Sequence, residues 1–207
     1  PAGRYLYYTG WNTASDVPWR VSIGLAVASN AEPTTFIRHE GPVLDRSLAD
    51  PYFVTNPCVL PEGGRWRMWY TSGLPWSTNT PPKARYRICY AESGEGLHWT
   101  PKRADCIPLL AAGEVAISRP CVVRDHDCYR MWYSYRGDDV GYRIGYAESA
   151  DGETWERIDA QAGLAPSASG WDADVAYPTV FDHGGRRFML YCGNGYSAEG
   201  FGLAVLR

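Results

Sequence analysis

The chain of 207 residues contains no apolar run approaching the ~20 residues that cross a bilayer as a helix, so no membrane partner is expected. It has no basic excess: 20 Lys and Arg stand against 23 Asp and Glu, a formal net charge of −3. That argues against nucleic acid as a partner, because a phosphate backbone needs a basic face. None of the six cysteines, Cys58, Cys89, Cys106, Cys121, Cys128 and Cys192, forms a C-x-x-C pair, and zinc is not expected. The four histidines, His39, His98, His126 and His183, fall in no ligand spacing, so no metal site is expected. No P-loop, dinucleotide fingerprint, G-x-S-x-G elbow or zinc-binding helix is present, and no cofactor is expected. No basic-then-apolar signal segment opens the chain. With the cysteines read as reduced thiols and small apolar filler, the expected location is cytoplasmic. Helical periodicity never persists beyond about ten residues.

What is present is aromatic. Nine Trp, 15 Tyr and 5 Phe make up 14% of the chain. Packing between sheets consumes aromatics, and so do sugar-binding clefts, because a pyranose offers an apolar C–H face. The aromatics also recur in order. Arg67-Met-Trp-Tyr-Thr-Ser-Gly73 returns as Arg130-Met-Trp-Tyr-Ser-Tyr135, and more weakly as Phe188-Met-Leu-Tyr-Cys-Gly193 and Tyr5-Leu-Tyr-Tyr-Thr-Gly10. Tyr86-Arg-Ile-Cys-Tyr-Ala-Glu-Ser93 returns as Tyr142-Arg-Ile-Gly-Tyr-Ala-Glu-Ser149, with echoes at Ser22-Ile-Gly-Leu-Ala-Val27 and Phe201-Gly-Leu-Ala-Val205. Pro57, Pro120 and Pro178 each precede a Val by two residues and lie 63 and 58 residues apart.

These segments are short, rich in aromatic and β-branched residues, and bounded by Gly, Pro, Asp and Asn, which marks strands. A long-period repeat holding four strands predicts an all-β fold, a β-propeller of four-stranded antiparallel blades. Strand a carries the Pro-x-Val segment, strand b the Met-Trp-Tyr segment, strand c the Tyr-Ala-Glu-Ser segment, and strand d follows Trp99 or Trp155. The sequence then reads as a single propeller domain: a partial blade over 1–45, full blades over 46–110 and 111–167, and a last blade over 168–207. About three and a half blades are present. An open ring would leave unpaired edges, and a homo-oligomer is one expected consequence.

Antiparallel order sorts the loops. Those entering strand a and those joining b to c share one face; the a–b and c–d turns share the other. The second set is short and plain. The first set is long and polar: 45–52, 113–119 and 170–177 entering strand a, and 11–20, 73–85, 135–139 and 193–200 between b and c. On that face each strand a is led by a carboxylate, Asp50, Glu114, then Asp172 and Asp174. Paired carboxylates suit glycosidic chemistry, one protonating the leaving oxygen and the other activating water or attacking carbon. Such residues also commonly cap turns. Arg119 and Arg136 are placed to hold a carboxylate, a phosphate or a sugar hydroxyl, with a structural ion pair from Arg119 to Glu114 or Asp172 as the alternative. Trp11, Trp171, Tyr177 and Tyr196 are candidates to contact sugar rings, and Asn12, Asn56 and Asn194 to bond hydroxyls. Trp69 and Trp132, on strand b, are expected in the core.

Gly10-Trp-Asn12, Asp45-Arg46, Asp50-Pro-Tyr-Phe-Val-Thr55, Ile117-Ser-Arg-Pro120, Tyr133-Ser-Tyr-Arg-Gly137 and Gly193-Asn-Gly-Tyr196 resemble a bacterial family of glycosyl-hydrolase-like propellers. That family is related in fold to arabinanases, invertases and mannoside phosphorylases. The resemblance runs over essentially the whole sequence. It implies a five-bladed ring, of which this sequence would lack the first blade and strand a of the second. It further implies a glycoside hydrolase acting on, or a protein binding, an oligosaccharide or glycoside at an axial funnel. Glu114 would be the acid, with Asp50 and Asp174 as base or pKa-modulating carboxylates. The general base of the arabinanase-type enzymes belongs to the blade without a counterpart here, so an inactive fragment is among the expected outcomes. The alternatives are a non-catalytic glycan-binding propeller, or a phosphorylase in which Arg119 and Arg136 hold phosphate.

Overall fold

The computed structural model describes residues 3–29, 32, 34–109, 113–138 and 140–206, so the last residue of the 135–139 loop lies outside the described set. The described residues form fourteen strands and almost no helix. The protein divides into two compact units, Pro1–Ala104 and Asp105–Arg207.

The first unit holds two antiparallel sheets. One is β1 (Tyr5–Asn12), β2 (Arg20–Ala28) and β3 (Phe36–Arg38) in sequence order. The other is β4 (Val54–Glu62), β5 (Arg65–Gly73), β6 (Tyr86–Ser93) and β7 (Thr100–Arg103). The second unit repeats the scheme with β8 (Glu114–Arg124), β9 (Tyr129–Gly137), β10 (Arg143–Ser149) and β11 (Glu156–Arg157). Its other sheet is β12 (Ala176–His183), β13 (Arg186–Cys192) and β14 (Phe201–Val205). This up-and-down order is that of propeller blades. The β4–β5 connection is the pair Gly63-Gly64, both at positive φ, with Glu62 opposite Arg65. Two-residue hairpins need that backbone to match the strand twist, and glycine adopts it without a Cβ clash.

Each unit has its own core. In the first, Ile23, Leu44, Val54, Met68, Tyr70, Cys89 and Ala91 pack together. In the second, Trp132, Ile144, Tyr146, Ala162, Val175, Val180 and Met189 do the same. Trp69 and Trp132 are buried. Burying side chains of this size stabilises by about 1.5–3 kcal/mol each.

A second rule of the repeat appears only in the ladders. The strand-b tyrosines Tyr8, Tyr133 and Tyr191 face Gly24, Gly145 and Gly202 directly across to strand c. A Cβ on any of these glycines would lie 2.4 Å from the ring opposite. The glycine is the space in which the tyrosine lies. In the remaining blade Tyr70 faces Cys89 instead.

The strand-b arginines are held in a repeated way too. Arg67 is buried, donates to the Tyr90 hydroxyl at 2.7 Å, and lies over the Trp69 and Tyr90 rings. Tyr90 in turn donates to Glu92. One blade on, Arg130 and Tyr146 both bond Glu148. Glu92 and Glu148 therefore serve the blade frame.

Candidate functional site

In three of the blades strand a is interrupted at one residue, the one before the repeat proline. Asn56, Arg119 and Tyr177 have φ of 51°, 54° and 57°. The ladder slips at each place, between Thr55 and Cys58, Ser118 and Cys121, and Ala176 and Thr179. Each is a β-bulge, a device that re-aims a side chain. The left-handed backbone costs non-glycine residues of order 1–3 kcal/mol, and surrounding structure must impose it. What imposes it is visible twice. The Asn56 amide donates to the Thr9 hydroxyl at 3.1 Å, and the Tyr177 amide to the Ser134 hydroxyl at 2.7 Å. Thr9 and Ser134 occupy the same strand-b position of the preceding blade.

The bulges gather a cluster in the second unit. The Tyr177 ring stacks on Tyr196, centroids 5.7 Å apart and planes 22° from parallel. Tyr142 meets both rings edge-on, at 5.7 and 5.8 Å. The guanidinium of Arg119 lies over Tyr177 at 4.4 Å, and that of Arg136 over Tyr142 at 5.9 Å. Tyr196 belongs to the short turn of helix α1 (Asn194–Ser197), in which Gly195, Tyr196 and Ser197 all have positive φ. Among the described residues, four of the six non-glycine positive-φ positions, Arg119, Tyr177, Tyr196 and Ser197, thus sit in this one place.

The loop entering β12 is pinned to that turn. Asn194 accepts from the Asp174 amide at 2.9 Å and donates to the Gly170 carbonyl at 2.8 Å and to Glu199 at 2.9 Å. The Asn194 amide itself donates to the carbonyl of Trp171, whose ring stacks on Tyr191. Asp174 pairs with Arg143 at 3.3 Å, its side chain 47% exposed. The room for its carboxylate comes from Gly141, where a Cβ would lie 2.0 Å from the Asp174 Oδ1.

The leading carboxylates are held differently. Glu114 is enclosed, 7% exposed, and both its oxygens accept from Arg157 at 2.8 and 2.6 Å. Arg157 also bonds Asp159, which accepts from the Tyr133 hydroxyl. Burial, and then that bond, hold the Tyr133 phenol well above its ordinary range. Arg157 is raised as well: its bonds to Glu114 and Asp159 outweigh a burial that alone would lower it. Asp50, buried in the first unit, accepts from Tyr70 at 2.9 Å. The Tyr191 phenol is raised first by burial and then by the charge of Asp172. Tyr70, Tyr133 and Tyr191 are the same strand-b position, and the first two each donate to an aspartate, Asp50 and Asp159.

Asp172 and Asp174 precede β12 and lie in a turn, Asp172 near Tyr191 and Asp174 paired with Arg143. The β8–β9 ladder slips a second time between Glu114 and Ala116. In the first unit, Trp11 is exposed and packs on Trp19, which also meets Phe53 and Trp76. Asn12 is exposed at the end of β1, opposite Arg20. Sequence reasoning missed Tyr70, Tyr133, Tyr191, Arg157, Asp159, Tyr142 and Arg143. The strand-b tyrosine at the same place in every repeat was the available signal for the first three.

No protein-family model matches the sequence. Two uncharacterized proteins of Mycobacterium tuberculosis, from strains CDC 1551 and H37Rv, are each 44% identical over 208 residues, covering 98% of this protein and 67% of the relative. Among solved structures, the BT0996–RGII complex superposes with a TM-score of 0.74 at 18% identity, covering 97% of this protein and 61% of that one. A thermostable family-43 glycoside hydrolase gives 0.70 at 16% identity, over 100% and 71%. A family-117 glycoside hydrolase from Zobellia galactanivorans gives 0.62 at 17% identity, over 97% and 64%. The likeness is one of fold, that of the glycoside hydrolase propellers, and the sequence in hand spans about three fifths of the length of the first of them.

Proposed function

We propose that this protein, which belongs to one family with the two uncharacterized Mycobacterium tuberculosis proteins and has the fold of the glycoside hydrolase propellers, recognises a glycan through the Tyr177–Tyr196 platform of its second unit. The observation that carries this reading is the placement of backbone strain. The bulge positions, where the fold accepts a cost in order to aim a side chain, hold Asn56, Arg119 and Tyr177. These are groups that bond hydroxyls, bind anions and stack on sugar faces. None of the three is a carboxylate. Of the leading carboxylates, Asp50 and Glu114 are bonded to the frame, by Tyr70 and Arg157.

Hydrolysis is the second reading, and one observation favours it. Asp174 is half-exposed beside the platform with Arg143 at 3.3 Å, open to a substrate oxygen in a way Glu114 is not. An oligosaccharide-binding panel, run beside aryl-glycoside hydrolysis, separates the two. Binding without turnover that is lost in Tyr196→Ala supports recognition. Turnover abolished by Asp174→Asn supports hydrolysis. Neither binding nor turnover across the panel contradicts both.

A further inference from the structure

We infer that the first unit carries a sugar-contact site of its own, built on Trp11 and Asn56; the inference rests on the reading of the protein as glycan-binding and adds a subsite to it. Single exposed apolar side chains are ordinary, whereas contiguous ones mark a binding surface. Trp11 is 64% exposed near the end of β1. Its ring and that of Trp19 meet edge to face, centroids 5.0 Å apart. Trp19 in turn meets Phe53 and Trp76, each at 4.9 Å, and Phe53 is buried. The loop carrying Trp76 is closed on itself, Leu74 donating to the Arg85 carbonyl and Ser77 to that of Lys83. The exposed indole is thus braced through Trp19 on the core, which lowers the side-chain entropy lost when a ligand stacks on it.

The hydrogen bonds point to a ligand rich in acceptors. Trp132 and Trp155, in the second unit, donate their indole N–H groups to the carbonyls of Ala162 and Gly152. Those of Trp11, Trp19 and Trp76 meet no acceptor among the described residues, and none of the three is sealed from solvent. The bulge at Asn56 adds a fourth donor. Thr9 and Trp11 share a face of β1, two residues or about 7 Å apart. The Thr9 hydroxyl meets that of Thr55 at 3.0 Å, Thr55 donates to Asn56 Oδ1 at 3.3 Å, and the Asn56 backbone N–H donates to Thr9 at 3.1 Å. Taken in the sense in which Thr9 donates, these three bonds close a cycle. The cycle fixes which end of the Asn56 amide faces the frame and leaves Nδ2 to donate outward, with no acceptor among the described residues. An indole surface surrounded by N–H donors matches a sugar, which offers a C–H face for the ring and hydroxyl and ring oxygens for the donors.

The indole N–H resonances of the ¹⁵N-labelled protein test this directly, and Trp11→Phe identifies the Trp11 signal among the nine tryptophans. The probes are cellohexaose, mannohexaose and galactohexaose. At least one should move the Trp11 signal saturably. Trp11→Ala should weaken that binding about tenfold or more, with thermal unfolding unchanged. Asn56→Gly should weaken it about threefold or more; glycine accepts the φ of 51°, so this variant removes the side chain without straining the bulge. Binding lost in Trp11→Ala but kept in Tyr196→Ala supports this site and contradicts the Tyr177–Tyr196 platform. A Trp11 signal that stays still at saturation, or affinity indifferent to Trp11→Ala, overturns the inference while leaving glycan recognition standing. Failure of all three hexaoses to bind overturns the glycan reading and this inference with it.

Discussion

The Tyr70 hydroxyl donates to the buried carboxylate of Asp50 at 2.9 Å; at the equivalent position of the last blade, burial and then the charge of Asp172 raise the Tyr191 phenol. A carboxylate met in this manner braces the loop that leads into strand a. Tyr70→Phe removes the donor and leaves the acid buried, which costs about 1–3 kcal/mol. Urea unfolding of Tyr70→Phe and Asp50→Asn should show losses in that range, with affinity for a glycan in the second unit unchanged. Unchanged stability with lost activity would instead place Asp50 in the chemistry.

The glycines opposite the strand-b tyrosines make a sharper packing prediction. In Gly145→Ala the new methyl carbon meets Tyr133 at 2.4 Å and the Asp159 carboxylate at 2.7 Å. Overpacking of this kind costs about 1–3 kcal/mol. Gly202→Ala meets Tyr191 at 2.4 Å and should cost a similar amount. Pairing Gly145→Ala with Tyr133→Leu should recover part of the loss, a coupling read from a double-mutant cycle.

Glu114 and Arg157 are both nearly buried, 7% and 4% exposed. Removing one partner strands the other, and Arg157→Met should cost about 3–5 kcal/mol. Replacing both with apolar residues should cost less than Arg157→Met alone, because Glu114 is then no longer stranded, while Asp159 loses its arginine but keeps the Tyr133 donor. The readout is chemical denaturation of the three variants.

Several phenols are raised in the folded state: Tyr7, Tyr90, Tyr133 and Tyr146, in each case chiefly by burial. The folded protein keeps protons that the unfolded polypeptide releases from about pH 10 upward. This contribution to stability is complete below that pH and is lost as pH rises through the folded values. Absorbance titration should show exposed tyrosines ionising first and a second group ionising together with unfolding. Tyr133→Phe should make stability fall less steeply with alkaline pH.

Much of the frame was legible in the sequence. The Arg67 to Gly73 repeat coincides with β5, and the Pro-x-Val segments fall in β4, β8 and β12, because strand alternation and turn residues act locally. The coupling of Tyr133 to Gly145 was in view as a repeat but not as a contact, since it needs the cross-strand register. The bulges were hidden for a physical reason. A residue before proline is ordinarily extended, and only the hydroxyls of Thr9 and Ser134, reaching from another sheet, reveal why Asn56 and Tyr177 are not. Arg157, 43 residues from Glu114, gives no local sign of its role.

The central claim is that the stacked tyrosines and Arg119 form a glycan-recognition platform. Its most direct test is the affinity of the protein and of Tyr196→Ala across an oligosaccharide array, with thermal unfolding recorded for both. The expected result is saturable binding to at least one glycan, weakened about tenfold or more in Tyr196→Ala, as befits a lost stacking ring that is 64% exposed and takes no part in the core. Binding that is indifferent to Tyr196→Ala, or absent across the array in a folded protein, would contradict the account.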